Sequence, residues 1–404
     1  MKKHLKPLLL LIFLFLIIAA PITAKVKPKR KKPIVIGMSA ALTGASKNLG
    51  KDLYIGSKIV FDEVNRLGGV HGRKLKLKIL DDRYNPLPAV KNTVSFVEKD
   101  DVDLLYCFMG TPTVTRVLPL LKRYQEKNIY LFFPFTGAQP QRVPPYNQFA
   151  FNLRASYLQE TKGLVSQFIK IKRKRIAVFY QSDAYGRSGW SGVKKGLADY
   201  GRSIIAEASY VRGAGFDQSF KEAAEYLLKQ KPDAIISIGS YQACAGLIRE
   251  MRDLGWDGLI ANISFVGSES LLGLLVKYGK KVGKDYTKNI INSQVVPSYE
   301  DTSLPAVREY RKLMARNKSK RYSYVSFEGF LNAKTLVAIL DQSGKWFNKS
   351  ALPQVVSSIK EYDIGIKDLI SFGSPDKNAL GKVYYTTVKN NKFVPIKSWS
   401  KWKK

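Results

Sequence analysis

The sequence predicts an α/β protein of two successive units, each a parallel sheet with helices on both faces. Three observations predict it. The chain has 404 residues, more than one hydrophobic core serves comfortably. From Pro33 onward, short apolar runs rich in β-branched residues alternate with stretches of helical period. The alternation pauses at Pro144-Pro145 and then restarts with a second set of similar size.

In the first unit, residues 34–38 are a buried strand, and a glycine-bounded loop follows. The next helix carries Gly56, Ile59, Val60, Val64 and Leu67 on one face and stops at Gly68-Gly69. Residues 74–80 alternate Lys with Leu or Ile, as a strand with one wet face or a sheet edge does, and Asp81-Asp82 read as its solvated end. A helix from 88 to 99 leads to the central stretch. There, residues 102–108 form a strand and Thr111 is the expected N-cap, with Pro112 at the first helical position. Val114, Val117, Leu118 and Leu121 recur at helical spacing, residues 129–133 form a strand, and 134–138 turn away from it. In a parallel sheet both turns lie at strand carboxyl ends, the rim where such sheets bind ligands. Thr111, Thr113 and Thr136 would meet there beside a helix N-terminus, a place suited to a small anion.

In the second unit, residues 175–180, 203–211, 234–238 and 259–263 are strands, with helices after 182, 216, 240 and 264. Residues 290–296 are extended, helices follow near 304–315 and 325–340, and the C-terminal part is a hairpin turned at Asn390-Asn391.

The formal charge is +35, spread along the chain and densest at its ends. Without zinc-finger or RNA-recognition spacing, this reads as basic composition on solvated faces, and nucleic acid is not an expected partner. Lys2, Lys3 and Lys6 precede an apolar run over 8–20, and a small-residue site ends at Ala24. This is the pattern of a secretory signal peptide over residues 1–24, and it places the mature protein in the periplasm. A basic linker, 25–32, follows. Its charge makes an uncleaved N-terminal anchor the alternative. Cys107 and Cys244 fall in different units and are expected as buried thiols.

The inventory for catalysis is thin. The two histidines are His4, in the leader, and His71, in a glycine-flanked turn, so no histidine-based metal cluster can form and no Ser–His or Cys–His pair beyond what His71 alone could serve. The stretch from Gly44 to Asp52 has one residue too many between its glycines for a phosphate loop, and Asp52 stands where Ser or Thr is required. What remains are hydroxyl and aromatic residues in turns after strands: Thr43, Thr111, Thr113, Thr136, Tyr185, Tyr241, Ser264 and Phe265. They suit orienting a small ligand without chemistry, so an enzyme, a cofactor and a metal are not expected.

PIVIGMSAALTG, NRLGGVHGRKLKLKILDD, GTPTVTRVLPLL, FFPFTGA, SDAYGRSG and SFEGFLNAKTL, in this order, resemble the branched-chain amino-acid-binding proteins of ABC importers. The resemblance covers nearly the whole chain from Pro33. It implies the type I periplasmic binding protein fold, two Rossmann-like lobes joined by three crossover strands. The first lobe is expected over 33–153 plus 290–360 and the second over 154–289 plus 361–404. It also implies a monomer that captures a small carboxylate-bearing metabolite or amino acid and delivers it to an inner-membrane permease. The alternative is an extracytoplasmic sensing module that regulates a membrane or signalling partner.

The resemblance further implies that Thr111 or Thr113, with Thr136, Gly137 and Ala138, holds a ligand carboxylate, and that Tyr185 and Tyr241 wall the site. Where the family supplies an acid for an α-ammonium, this chain has Ser264-Phe265, and Glu328 is the candidate to replace it. Leu49 stands where the family has an aromatic contact, and Tyr84 where it often has a cysteine.

Overall fold

The structure, a computed structural model, describes residues 31–373 and 379–404. The expected signal peptide and most of the basic linker lie outside the described residues. The first lobe is built from β1 (Ile34–Ala40), α1 (Lys47–Arg66), β2 (Leu75–Asp81), α2 (Pro86–Glu98), β3 (Leu104–Tyr106), α3 (Thr111–Arg123), β4 (Leu131–Phe132) and β5 (Ala150–Phe151). Its strands form a parallel sheet ordered β2-β1-β3-β4-β5. All seven residues of β1 are buried, as a central strand covered by helices on both faces requires.

The second lobe contains α4 (Tyr157–Lys170), β6 (Ile176–Gln181), α5 (Ala184–Ala198), β7 (Glu207–Tyr210), α6 (Lys221–Lys229), β8 (Ala234–Ile238), α7 (Tyr241–Asp253), β9 (Leu259–Asn262), α8 (Ser268–Val282) and β10 (Ile290–Gln294). The chain then forms α9 (Pro305–Arg316), α10 (Tyr324–Gln342), α11 (Leu352–Ser358), the short pair β11 (Tyr362–Asp363) and β12 (Leu369–Ile370), and the hairpin of β13 (Tyr384–Lys389) and β14 (Lys392–Pro395). The second sheet is ordered β7-β6-β8-β9-β10-β13-β14, with β13 antiparallel to β10. The sequence reading ended the second unit's first part at 289. β10 instead pairs with β9 and β13, so that strand belongs to the second sheet. The hairpin turns where expected, with Asn390 at φ 50° and Asn391 at φ 55°, the left-handed pair that a two-residue turn needs.

The chain passes between the lobes three times: from β5 to α4, from β10 to α9, and from α11 to β13. The late helix α10 returns to pack along α1. Two glycines permit the approach. A Cβ on Gly56 would lie 1.8 Å from the Ser326 carbonyl oxygen, and one on Gly329 would lie 2.4 Å from that of Leu53.

Asp81-Asp82 are not a solvated strand end. Asp82 is fully buried and accepts hydrogen bonds from the Ser39 hydroxyl at 2.8 Å and the Tyr84 amide at 2.8 Å. Asp81 accepts from the Leu42 amide at 2.9 Å and the Thr43 hydroxyl at 2.5 Å. Both carboxylates organise the loops after β1 and β2. They hold Tyr84 at φ 57°, with its ring turned toward the second lobe.

Candidate functional site

The lobes face each other across the carboxyl ends of their strands, and the rims there meet in a box of aromatic rings. Tyr84 and Phe135 come from the first lobe; Tyr157, Tyr185 and Phe265 come from the second. Phe265 lies at the centre. Its ring centroid is 5.6 Å from Tyr84, 5.2 Å from Phe135 and 4.7 Å from Tyr185. Tyr157 stands 5.3 Å from Tyr185. Such offset and tilted pairs are the favoured ring geometries. Gly110, at φ 94°, makes room: a Cβ there would fall 2.1 Å from Cε2 of Tyr84.

Arg154, on the first crossover, closes one side of the box. Its guanidinium carbon is 4.9 Å from the Phe135 centroid and 5.8 Å from that of Tyr157. Its side chain is 2% exposed. It lies 3.5 Å from Glu160 of α4 and 3.4 Å from Glu328 of α10, so one cation joins carboxylates from the two lobes. Nη2 donates to the Ser264 hydroxyl. Glu160 accepts from the Ser264 amide at 2.8 Å, the Ser264 hydroxyl at 2.9 Å and the Ser293 hydroxyl at 2.6 Å. Glu328 has no such set of donors. Burial raises its pKa to about 7, with Arg154 pulling down and Glu160 pushing up. Burial alone would lower the pKa of Arg154, but the field of Glu328 and its neighbours holds it above the ordinary value.

The expected site residues divide into three groups. Thr111 and Thr136 bond each other at 2.7 Å, and Thr113 donates to the carbonyls of Met109 and Gly110. Thr111 is not the helix cap; Gly110 holds that position, without a side-chain bond. The Gly137 carbonyl takes the Tyr157 amide at 2.7 Å, and the Ala138 amide donates to Thr136 at 3.2 Å. These five therefore brace the first-lobe turn. Tyr185, Ser264, Phe265 and Glu328 come together around Arg154 and the ring box. Tyr241 sits apart, lining a 440 Å³ cavity at the edge of the interlobe junction with Asn48, Asp52, Glu269 and Arg321. Leu49 lies beside it, packed against Gly267.

Sequence reasoning missed Arg154, Tyr157, Glu160 and Phe135. Arg154 and Glu160 flank a helix start, where charged residues ordinarily face solvent, so neither stood out. Phe135 sits inside the noted turn, where its apolar side chain carried no polar signal. Tyr84 was noted only by position, and nothing local indicates that its ring crosses to the other lobe. Further contacts tie the lobes: Gln242 Nε2 donates to the Ala45 carbonyl at 3.1 Å, and Arg212, paired with Asp183 inside the second lobe, sets its guanidinium carbon 5.8 Å from the Tyr84 ring centroid. Cys107 and Cys244 are buried free thiols, as expected, and burial raises the pKa of both. Among the described residues, no helix is long and apolar enough to cross a membrane, and no three metal-ligating side chains cluster.

Two doubly wound lobes, crossed three times by the chain and meeting at their ligand rims, define the architecture of a two-lobed solute-binding protein. The chain belongs to the periplasmic binding protein family, whose model matches residues 33–392. A Leu/Ile/Val-binding protein homolog of Brucella melitensis is 25% identical over 288 residues, spanning 68% of this chain and 73% of that protein. The crystal structure of a "possible leucine/isoleucine/valine-binding protein" from Rhodopirellula baltica superposes with a TM-score of 0.82. It is 28% identical and covers 92% of this chain and 98% of its own. A fatty acid ABC transporter substrate-binding protein from Thermomonospora curvata shares the fold, with a TM-score of 0.78 at 21% identity, over 91% of this chain and 93% of its own. The relatives and the fold are those of solute-binding proteins, not enzymes.

Proposed function

We propose that this chain is the extracytoplasmic solute-binding protein of an ABC importer. It captures a small carboxylate-bearing metabolite or amino acid between its lobes and delivers it to an inner-membrane permease. The observation that carries the reading is the buried Arg154 guanidinium beside a box of rings contributed by both lobes. A carboxylate on a ligand finds its counter-charge there, and the apolar part of the ligand finds ring faces. The names of the Leu/Ile/Val-binding relatives agree with a small carboxylate ligand. Binding works by differential affinity: a ligand that touches both lobes stabilises the closed state over the open one. Tyr185, Ser264, Phe265 and Glu328 are the proposed contacts, with Tyr241 at the entrance.

Mass spectrometry of small molecules released when the purified protein is denatured, together with a thermal-shift panel of amino acids and carboxylic acids, tests this. The expected result is at least one carboxylate that co-purifies or raises the melting temperature. A protein that carries none and responds to none would refute the reading.

A further inference from the structure

We infer that Arg154, rather than the threonine turn, receives the ligand's carboxylate, and that the ligand is an apolar monocarboxylate without an α-ammonium. This rests on the solute-binding reading above. The first support is what the threonine turn lacks. Thr113 donates to the Met109 and Gly110 carbonyls, the Ala138 amide donates to Thr136, and Thr111 and Thr136 use one of their two hydroxyl protons on each other. The turn therefore keeps at most one hydroxyl donor for an anion, with no charge beside it.

The second support is a cluster of buried polar atoms around Arg154. Nε and Nη1 of Arg154, the Tyr157 hydroxyl and Oε1 of Glu328 make no hydrogen bond of normal geometry. Nη1 stands 3.4 Å from Glu328 Oε1, close enough for an ion pair but not aligned as a hydrogen bond. The Tyr157 hydroxyl leans toward Thr136 without forming a bond of normal geometry. A buried polar atom left without its bond is costly, so a group that satisfies several of these atoms together binds favourably. Two nitrogens that only donate and a phenol that can donate stand against one carboxylate oxygen. A carboxylate, which only accepts, matches that excess; an ammonium, which only donates, does not.

The charges lead to the same ligand. Glu160 is already met by Ser264, Ser293 and Arg154. Glu328 is faced by Arg154, Glu160, Tyr106 and Cys107, and Arg154 is the one cation in that set. A ligand carboxylate on Arg154 displaces Glu328 from its counter-charge. Glu328 then takes up a proton and can donate a hydrogen bond to the same carboxylate. Ser264, at the position the family resemblance gives to an ammonium's acid, has its hydroxyl engaged with Arg154 and Glu160. Phe135, whose ring lies beside the guanidinium, and Phe265 and Tyr185, packed in series behind it, would give the rest of the ligand an apolar surround once the rings part.

Calorimetry with two matched pairs tests the inference: leucine against 4-methylpentanoate, and phenylalanine against 3-phenylpropanoate. At least one deaminated acid is expected to bind ten-fold or more tighter than its amino acid. Tyr157→Phe, which keeps the ring, should weaken that binding about 5-fold. Glu328→Gln should tighten it several-fold at pH 8 and remove its dependence on pH. Arg154→Met should abolish it; if that variant does not fold, the other two decide. Tighter binding of the amino acids, lost in Glu328→Gln, would overturn the inference while leaving the solute-binding reading intact. Binding of neither member of either pair would overturn the inference too. The release and thermal-shift experiment would then judge the solute-binding reading separately.

Discussion

Phe265→Ala is expected to open the ligand-free protein. The ring is fully buried and makes three ring contacts. The contact with Tyr185 lies within the second lobe, so its loss weakens that lobe and leaves the balance between open and closed states untouched. The contacts with Tyr84 and Phe135 cross between lobes and exist only when the lobes are closed. Each such pair contributes about 0.5–1.5 kcal/mol beyond burial, so closure loses about 1–3 kcal/mol. That corresponds to roughly a 5–150-fold fall in the closed-to-open ratio. Small-angle X-ray scattering on ligand-free wild type and variant reads this as an increase in radius of gyration. Saturating ligand should reverse part of it, since the ligand's contacts with the other site residues still add to closure. Ligand-free scattering curves that superimpose would refute the reasoning and would mean that Phe265 does not hold the lobes together.

Two further outcomes follow from the same region. Gly110→Ala forces a left-handed alanine and drives its Cβ into Tyr84, so urea unfolding should show a loss of about 1–3 kcal/mol, and a second change, Tyr84→Ala, should recover part of it. The pKa of Glu328 is raised by burial to about 7 from an ordinary 4.5, so the folded state holds its proton more tightly than the unfolded chain does. Its contribution to stability is therefore fully present below pH 4.5 and is lost as pH rises through 7; thermal melts at pH 5 and pH 8 should show a drop that Glu328→Gln reduces.

Much of the site's scaffold was legible. The strand-and-turn reading around Gly110 and Thr136 located the first-lobe rim, because buried parallel strands leave an unbroken apolar signature and their turns carry glycine and proline. Tyr185, Ser264 and Phe265 were placed by the same logic in the second lobe. The roles within that rim were less legible. A threonine at a helix start signals a free hydroxyl just as well as one bonded to its neighbour; the 2.7 Å bond between Thr111 and Thr136 joins residues 25 apart in the chain. Asp82 read as solvated because two acids closing a strand point to opposite faces and ordinarily meet water, whereas its hydroxyl partner, Ser39, lies 43 residues away.

The sequence by itself determined the class of fold, the family and the placement of the ligand rims. These follow from periodicity, turn chemistry and local motifs, all of which act over a few residues. Only the tertiary structure decided what the rims hold. The second lobe is brought against the first by the three crossovers, which set Arg154 between Glu160 and Glu328, residues 168 positions apart. They also seat Phe265 between Tyr84 and Phe135. Charge pairing and ring packing depend on distances through space between segments far apart in the chain. No local pattern encodes those distances, so the electrostatics of the cleft emerge only once the two lobes meet.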